Sequence, residues 1–474
     1  MPLNQPSAAL IARFTGIVGD KNALTDADGQ APYLTEWRGL YAGKTPVVLR
    51  PGSTLEVSRI LALANAGRVA IVPQGGNTGL VGGQIPSAKG DEIVLCLSRL
   101  NAVRNADAGG GTMVVEAGVT LATVQAAAEN AGRLFPLSLA SEGSCQIGGV
   151  LATNAGGLAV LAYGNARNLA LGLEVVMANG EIWNGLRGLK KDNTGYDLRD
   201  LFIGSEGTLG IITAAVLKTF ARPAETATAV VALETPAQAF ELFRLMEGAA
   251  GAGLTAFELW SELALSFVLD HISGTRDPFN QRHAWYVLIE VSSGEAGGRA
   301  TALLEDVLQK ASDGALLTDA VIANSLQQSR ALWKLREGLS EAQKPAGASI
   351  KHDISVPVAR IAEFLERARP IVESVCPGAR PVPFGHFGDG NIHYNISQPE
   401  SMTRAGFLAL WEPMAEAVHT LVASMGGSIS AEHGIGQLKR GALRDFKSAL
   451  ELEIMRGIKQ ALDPHGILNP GKVL

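Results

Sequence analysis

Two histidines, His386 and His393, flank Asp389-Gly390 in the string Pro383-Phe-Gly-His-Phe-Gly-Asp-Gly-Asn-Ile-His-Tyr-Asn-Ile396. Asp-Gly is a strong signal for a two-residue hairpin turn. With those two residues as the loop, Phe387 faces Ile392 and His386 faces His393. Side chains opposed across antiparallel strands stand about 5 Å apart at Cβ, and two imidazoles at that separation can share one metal ion. The same spacing also suits a histidine pair packed against aromatic rings. Asn395, two residues beyond His393, shares its face. Further donors stand in Ser428-Ile-Ser-Ala-Glu-His-Gly-Ile-Gly436, where Glu432 and His433 are adjacent. Strand alternation points such neighbours apart, so one can bind metal while the other faces a substrate. Two histidines and a glutamate with an open position form a catalytic zinc arrangement. His271, His283, His352 and His419 have no partner legible in the sequence, and His465, in Asp463-Pro-His-Gly-Ile-Leu-Asn469, is expected to shape a turn.

A second kind of chemistry is written in glycine. The chain has 55 glycines in 474 residues, well above the usual share of about 7%, and they cluster. Gln74-Gly-Gly-Asn-Thr-Gly-Leu-Val-Gly-Gly83 follows an apolar strand-like run. Such a loop exposes successive backbone N–H groups, an anion nest suited to a pyrophosphate, although a surface turn would read the same way. It is neither G-x-G-x-x-G nor a Walker A loop, since no Lys-Ser/Thr follows. Gly251-Ala-Gly-Leu-Thr-Ala256 fits G-x-G-x-x-A but follows helix-like text, so it is discounted. Ser141–Gly157 is long, apolar and glycine-rich, which fits a flat aromatic ligand lying on main chain. Phe202-Ile-Gly-Ser-Glu-Gly-Thr-Leu-Gly-Ile-Ile-Thr213 is a third such segment. Three in one half of a chain are hard to explain as packing.

The elements that must position these segments alternate. Pro46–Arg50 reads as a strand, and Ser53 caps a helix whose Val57, Ile60, Leu61 and Ala64 share one face. Arg68–Pro73 is the next strand and leads into the first glycine loop. Glu92–Leu97 and Met113–Gly118 read as strands, Thr120 caps a helix, and Leu173–Trp183 is a hairpin whose Asn179-Gly180 suits a type I′ turn. Around 222 the text shifts to strands and amphipathic helices with fewer glycines. The fold class is α+β, with residues 1–222 as one domain, 223–424 as a second, and 425–474 returning to the first.

Composition narrows the function. A net charge of −6 argues against a nucleic-acid partner, which wants a basic face. Cys96, Cys145 and Cys376 are too few and scattered for a disulfide framework, so a reducing, cytoplasmic setting is expected. The N-terminus lacks the pattern of a signal peptide. The longest charge-free run, Gly143–Ala166, is too rich in glycine and amides for a membrane helix.

Gln74-Gly-Gly-Asn-Thr-Gly79, Gly148-Gly-x-x-Ala-Thr-Asn-Ala-Gly-Gly157, Tyr163-Gly164, Gly204-Ser-Glu-Gly-Thr-Leu-Gly210 and Asn469-Pro-Gly-Lys472 together resemble the flavin-binding oxidases of the vanillyl-alcohol oxidase and p-cresol methylhydroxylase type. Within that type the resemblance is to the FAD-dependent D-2-hydroxyglutarate and D-lactate dehydrogenase family, from about residue 45 to the C-terminus. The resemblance implies a p-cresol methylhydroxylase-type FAD-binding domain of two subdomains plus an α+β substrate cap, with the isoalloxazine at the border of the cap. It implies that Gln74, Gly75, Gly76, Asn77, Thr78 and Gly79 hold the phosphates. Gly148, Gly149, Thr153, Asn154 and Gly157 would run along the flavin, Glu206, Gly207 and Ile211 would take the adenosine side, and Asn469 completes the cofactor set. The first loop lacks a His or Cys for attachment, so FAD is expected to be non-covalent, and Cys145 reads as a small buried thiol.

The same resemblance implies a divalent metal, zinc or manganese, on His386, His393 and Glu432, with His433 as the base for the substrate hydroxyl. Arg336, Ser340, Lys351 and Asn395 would hold substrate carboxylates. Arg336 and Ser340 lie four apart in helical text and so share a face, while Lys351 opens an extended segment. The implied activity is oxidation of a D-2-hydroxy acid, D-2-hydroxyglutarate favoured, by hydride transfer to flavin N5. D-lactate or D-malate oxidation, or an electron-transfer subunit of a glycolate-oxidase-like complex, are the alternatives. An electron-transfer flavoprotein is the implied acceptor, and a homodimer one expected assembly.

Overall fold

The computed structural model describes residues 2–474. The chain splits into two compact units: one holds the residues up to Gly156 with Tyr163–Ala221 and Glu432–Leu474, the other Gly157–Ala162 with Arg222–Ala431.

The first unit begins with a sheet of β1 (Ala23–Leu24), β2 (Val48–Leu49), β3 (Ala70–Gln74) and β4 (Glu92–Cys96), in the order β1-β2-β4-β3. β2 and β3 run parallel to β4, and the right-handed return between parallel strands needs a crossover element. Helix Thr54–Gly67 is that element. The Ser53 side chain accepts from the Glu56 N–H, and Val57, Ile60, Leu61 and Ala64 are buried. The chain end docks on the same sheet: Ile71 N–H donates to the Ile467 carbonyl and Asn469 N–H to that of Ile71, each at 2.8 Å.

A second sheet is antiparallel throughout, with β5 (Val103–Asp107), β6 (Thr112–Glu116), β8 (Ala170–Val176), β9 (Ile182–Gly185) and β10 (Ile211–Lys218) in the order β5-β6-β10-β8-β9. β7 (Arg133–Leu134) pairs with β11 (Phe220–Ala221) apart from it. The β8–β9 hairpin departs from type I′. Gly180 has φ +88° but Asn179 is not left-handed, and Gly180 N–H donates to the Met177 carbonyl while Met177 N–H donates to that of Glu181. The loop is therefore an ordinary turn followed by one left-handed glycine, a longer hairpin form.

The second unit is one eight-stranded antiparallel sheet. It comprises β12 (Glu225–Leu233), β13 (Leu254–Ser261), β14 (Trp285–Ser293), β15 (Asp319–Ile322), β16 (Ser349–Ile350), β17 (Asp353–Ser355), β18 (Arg380–His386) and β19 (Asn391–Ser397). The order is β15-β12-β14-β13-β18-β19-β16, and β17 also pairs with β19. One face packs Val231, Phe257, Leu259, Ile392, Tyr394 and Ile396 under helices such as Pro236–Ala250 and Ile361–Val375. The opposite face packs Trp260, Tyr286, Leu288, Val382 and Phe384 against helices Glu262–His271 and Leu326–Gly338. Side chains alternate along a strand, so Glu258, His386, Asn391, His393 and Asn395 all fall on this second face. Among the described residues no helix is long and apolar enough to cross a membrane.

Candidate active site

The β18–β19 register differs from the two-residue loop expected from Asp389-Gly390. His386 pairs with Asn391, Gly385 with Ile392 and Phe384 with His393. The connection is a 3₁₀ turn, Phe387–Asp389, closed by Gly390 at φ +88°. Burial of Phe387, fully enclosed in the core, takes it out of the ladder and lengthens the loop by two residues. His386 and His393 thus lie diagonally on one face instead of directly opposed, and their rings still meet, with centroids 5.7 Å apart at 77°. Diagonal neighbours are within reach of long and aromatic side chains.

A carboxylate that sequence reading missed organises this face. Glu258 pairs across β13–β18 with His386. Its Oε1 lies 2.8 Å from His386 Nδ1 and its Oε2 accepts from Arg336 Nε at 2.7 Å. Arg336 is buried, not a solvated charge, and sits 5.3 Å over the Phe384 ring. Burial alone would raise the Glu258 pKa, but the charges of His386 and Arg336 outweigh it and hold the pKa below its usual value. Guanidinium carries five N–H donors, and Nε alone is spent on Glu258, so donors remain for a second carboxylate. Ser340 is not on the Arg336 helix face. That helix ends at Gly338, and Ser340 is exposed in the following turn.

Asp353, also unforeseen, pairs with His393 across β17–β19. Its Oδ1 lies 3.8 Å from His393 Nδ1 and accepts from Asn391 Nδ2 at 3.0 Å. Asn395 Nδ2 donates to Gln343 Oε1 at 3.0 Å. Ile350 and Ile354 enter the core on the other face, so alternation turns Lys351 toward the face of Asp353. His352, between them, is buried with Nδ1 3.0 Å from the Tyr394 carbonyl oxygen, and its ring stands edge-on to His419. Ala431 N–H donates to the Asp353 carbonyl at 3.3 Å, and the chain passes directly from there into Glu432 and His433, where the first unit resumes. A lone Glu in the apolar run Leu254-Thr-Ala-Phe-Glu-Leu-Trp260 was the one signal that could have pointed to Glu258.

In the first unit the Gln74–Gly83 loop leaves β3 as expected, but its side chains brace the loop itself. Gln74 Nε2 donates to the carbonyls of Tyr33 and Gln84 at 3.0 Å. Asn77 Nδ2 donates to Pro32 and Thr35, also at 3.0 Å, and Gln84 Nε2 donates to Asn77 Oδ1 and the Gly79 carbonyl. What such a loop offers a ligand is its backbone, Gly75 through Gly79 with Thr78. A Cβ on Gly75 would face Gln146, whose Oε1 is buried without a hydrogen-bond partner, while one on Gly149 would meet open space. Gly148 packs on Ala117 instead, and Thr153 Oγ1 bonds back to the Gly149 carbonyl. Asn77, Asn154, Glu206 and Asn469 all have φ between 45° and 54°. Non-glycine residues held there collect at ligand sites. Gly157, at φ +142°, opens the short piece that belongs to the second unit.

Glu206, expected on the adenosine side of the cofactor, braces a turn with its side chain. Its buried carboxylate accepts from the N–H groups of Ile435 and Gly436 at 2.7 and 2.8 Å, and burial raises its pKa despite those bonds. Asn469 Nδ2 in turn donates to the Glu206 and Gly83 carbonyls. Gly207 is left-handed and packs on Pro73, and Ile211 is a core residue at the start of β10. These contacts fix the Glu432–Gly436 turn, in which the Glu432 carboxylate lies against Gly156. Cys145 is a buried thiol whose pKa burial pushes up.

The residues fit a dinucleotide with a flat ring: a glycine cradle, an orphaned buried acceptor and strained asparagines beside it. Gly76 tests the cradle, since a Cβ there would sit 1.9 Å from the Ser144 carbonyl oxygen. Gly76→Ala should cost about 1–3 kcal/mol by overpacking, read as a lower melting point and a reduced flavin content of the purified protein. Wild-type flavin content would remove the loop from the cofactor site.

Comparison with known proteins gives the class. The model of the FAD-linked oxidase C-terminal domain matches residues 222–473 and that of the FAD binding domain residues 45–185, and the chain belongs to the FAD-linked oxidase family. The fold is of the p-cresol methylhydroxylase type: substrate-bound p-cresol methylhydroxylase superposes with a TM-score of 0.75 at 16% identity, over 98% of this chain and 96% of that one. Within the family the similarity narrows to a named enzyme. The mitochondrial D-2-hydroxyglutarate dehydrogenase of Arabidopsis thaliana is 39% identical over 98% of this chain and 81% of its own length. The D-2-hydroxyglutarate dehydrogenase of Xanthomonas citri pv. viticola is 39% identical over 93% of this chain and 92% of its own. The protein is an FAD-linked oxidoreductase. The expectation of a cytoplasmic setting falls here, because several of these relatives, the Arabidopsis thaliana enzyme among them, are mitochondrial by name; cysteine usage separates reducing from oxidising compartments and no further.

Proposed function

We propose that the protein is a metal-dependent dehydrogenase that oxidises a D-2-hydroxy acid, D-2-hydroxyglutarate above others, to the 2-oxo acid. One observation supports the metal: His386 keeps Nδ1 on Glu258 at 2.8 Å, which leaves Nε2 as its ligand atom, and its ring meets that of His393. His386, His393 and Glu432 would hold zinc or manganese. The metal, when bound, supplies a Lewis acid that lowers the pKa of the substrate hydroxyl, and FAD supplies the two-electron acceptor for the hydride leaving Cα. His433 takes the hydroxyl proton. Arg336, Lys351 and Asn395 orient the carboxylates, and two cations among them suit a diacid better than lactate. The names of the relatives support the same substrate. By resemblance to the family, an electron-transfer flavoprotein would be the electron acceptor.

Purified protein should be yellow, contain zinc or manganese, and bleach when mixed anaerobically with D-2-hydroxyglutarate. Chelation should abolish turnover and metal return should restore it. Full activity without metal would reject the ligand assignment. A kcat/KM for D-lactate or D-malate well above that for D-2-hydroxyglutarate would reject the substrate, and failure to bleach without a partner subunit would favour an electron-transfer component.

A further inference from the structure

The carboxylate of Glu258 stands between two groups that the proposed reaction uses in different ways. Strand register fixes it opposite His386, and helix Leu326–Gly338 brings Arg336 to its other oxygen. It is 1% exposed, so neither contact is an accident of a mobile surface. An ionised carboxylate only accepts hydrogen bonds. At 2.8 Å from Glu258, His386 Nδ1 must therefore carry the proton. Arg336 Nη2, 3.5 Å from the same nitrogen, is a donor facing a donor and makes no bond there. When the ring gives up its other proton, its lone pair is on Nε2, the form that ligates metal. Ligating histidines generally give their second N–H to a carboxylate or carbonyl, which fixes the ring and raises its basicity.

We propose that Glu258 is a positioning residue that sets the His386 tautomer for metal binding and, through its second oxygen, ties the metal ligand to the carboxylate-binding Arg336. A structural ion pair would need only Arg336. The inference rests on the metal reading above, and metal affinity separates the two. Glu258→Gln keeps the volume, but its amide must donate to His386 Nδ1 while its oxygen accepts from Arg336, which drives the ring proton to Nε2.

In the full-length flavoprotein, titration with Zn²⁺ against a competing chelator should show affinity roughly 10- to 100-fold weaker in Glu258→Gln than in wild type. Flavin content after chelation should match, while the melting point should fall in Glu258→Gln because the buried Arg336 loses its counter-charge. Glu258→Asp, which keeps the charge, should recover part of the affinity. Equal affinity in wild type and Glu258→Gln, or equal weakness in both variants, overturns the proposal and leaves the metal site standing. A wild type that binds no Zn²⁺ overturns the metal reading itself. Should Glu258→Gln not fold, ¹⁵N-histidine spectra of zinc-loaded wild type, with His386 assigned through His386→Gln, decide the matter. The proton on Nδ1 is the expected result, and a proton on Nε2 is fatal.

Discussion

Replacing His433 by Asn is expected to lower kcat roughly 10²- to 10⁴-fold, the span for loss of a general base, in a protein that stays yellow. The surroundings explain why the effect should be confined to chemistry. Ile435 and Gly436 donate to Glu206, Gln437 N–H donates to the Val81 carbonyl at 2.8 Å, and Val473 N–H donates to the Gly436 carbonyl at 3.0 Å. The turn is held by backbone bonds on its C-terminal side, none of which uses the His433 imidazole. Asn retains a hydrogen-bonding amide of similar reach but cannot accept a proton at neutral pH. Stopped-flow bleaching of the flavin under anaerobic D-2-hydroxyglutarate reads the step directly. Near-wild-type bleaching by His433→Asn would move the base elsewhere, and Glu432 and Asp353 would then be the groups to replace.

Local signals were legible and non-local ones were not. Helix Thr54–Gly67 follows from a capping Ser53 and a 3.6-residue apolar period, both contained within its own span. The glycine loops follow from composition, because glycine clusters mark backbone that must approach something closely. The hairpin of His386 and His393 was visible but its register was not. Asp389-Gly390 alone argues for two loop residues, whereas the tertiary burial of Phe387 makes four, and a change in loop length resets every pair along the ladder. That the two rings nevertheless meet follows from parity, since a two-residue shift keeps each side chain on its face. Glu258 lies 128 residues from His386, and only the assembly of β13 beside β18 brings them together. Asp353 reaches His393 in the same way through β17 and β19. The end of the Arg336 helix at Gly338 was misjudged for a different reason. The apolar spacing continues to Leu339, which remains buried, although the regular helix ends at Gly338 and Leu339 is only its cap.

Arg336→Leu should be among the most destabilising single changes in the second unit. Glu258 is buried with Arg336 and His386 as its polar neighbours. Removing one partner of a buried pair costs about 3–5 kcal/mol, mostly through the uncompensated charge left behind. For a unit of this size about 2–4 °C of melting temperature goes with each kcal/mol, so a fall of about 6–20 °C is expected. Neutralising the stranded carboxylate should reverse much of it. In the double variant Glu258→Gln/Arg336→Leu no buried charge remains, and the two changes should be strongly non-additive. Activity should behave differently from stability, because the double variant regains a fold without regaining a cation for the substrate: KM for a diacid stays high while the melting point recovers. Melting of Arg336→Leu within about 2 °C of wild type, at most about one kcal/mol on that scale, would mean that Glu258 finds another partner. The carboxylate would then no longer couple the imidazole to the guanidinium.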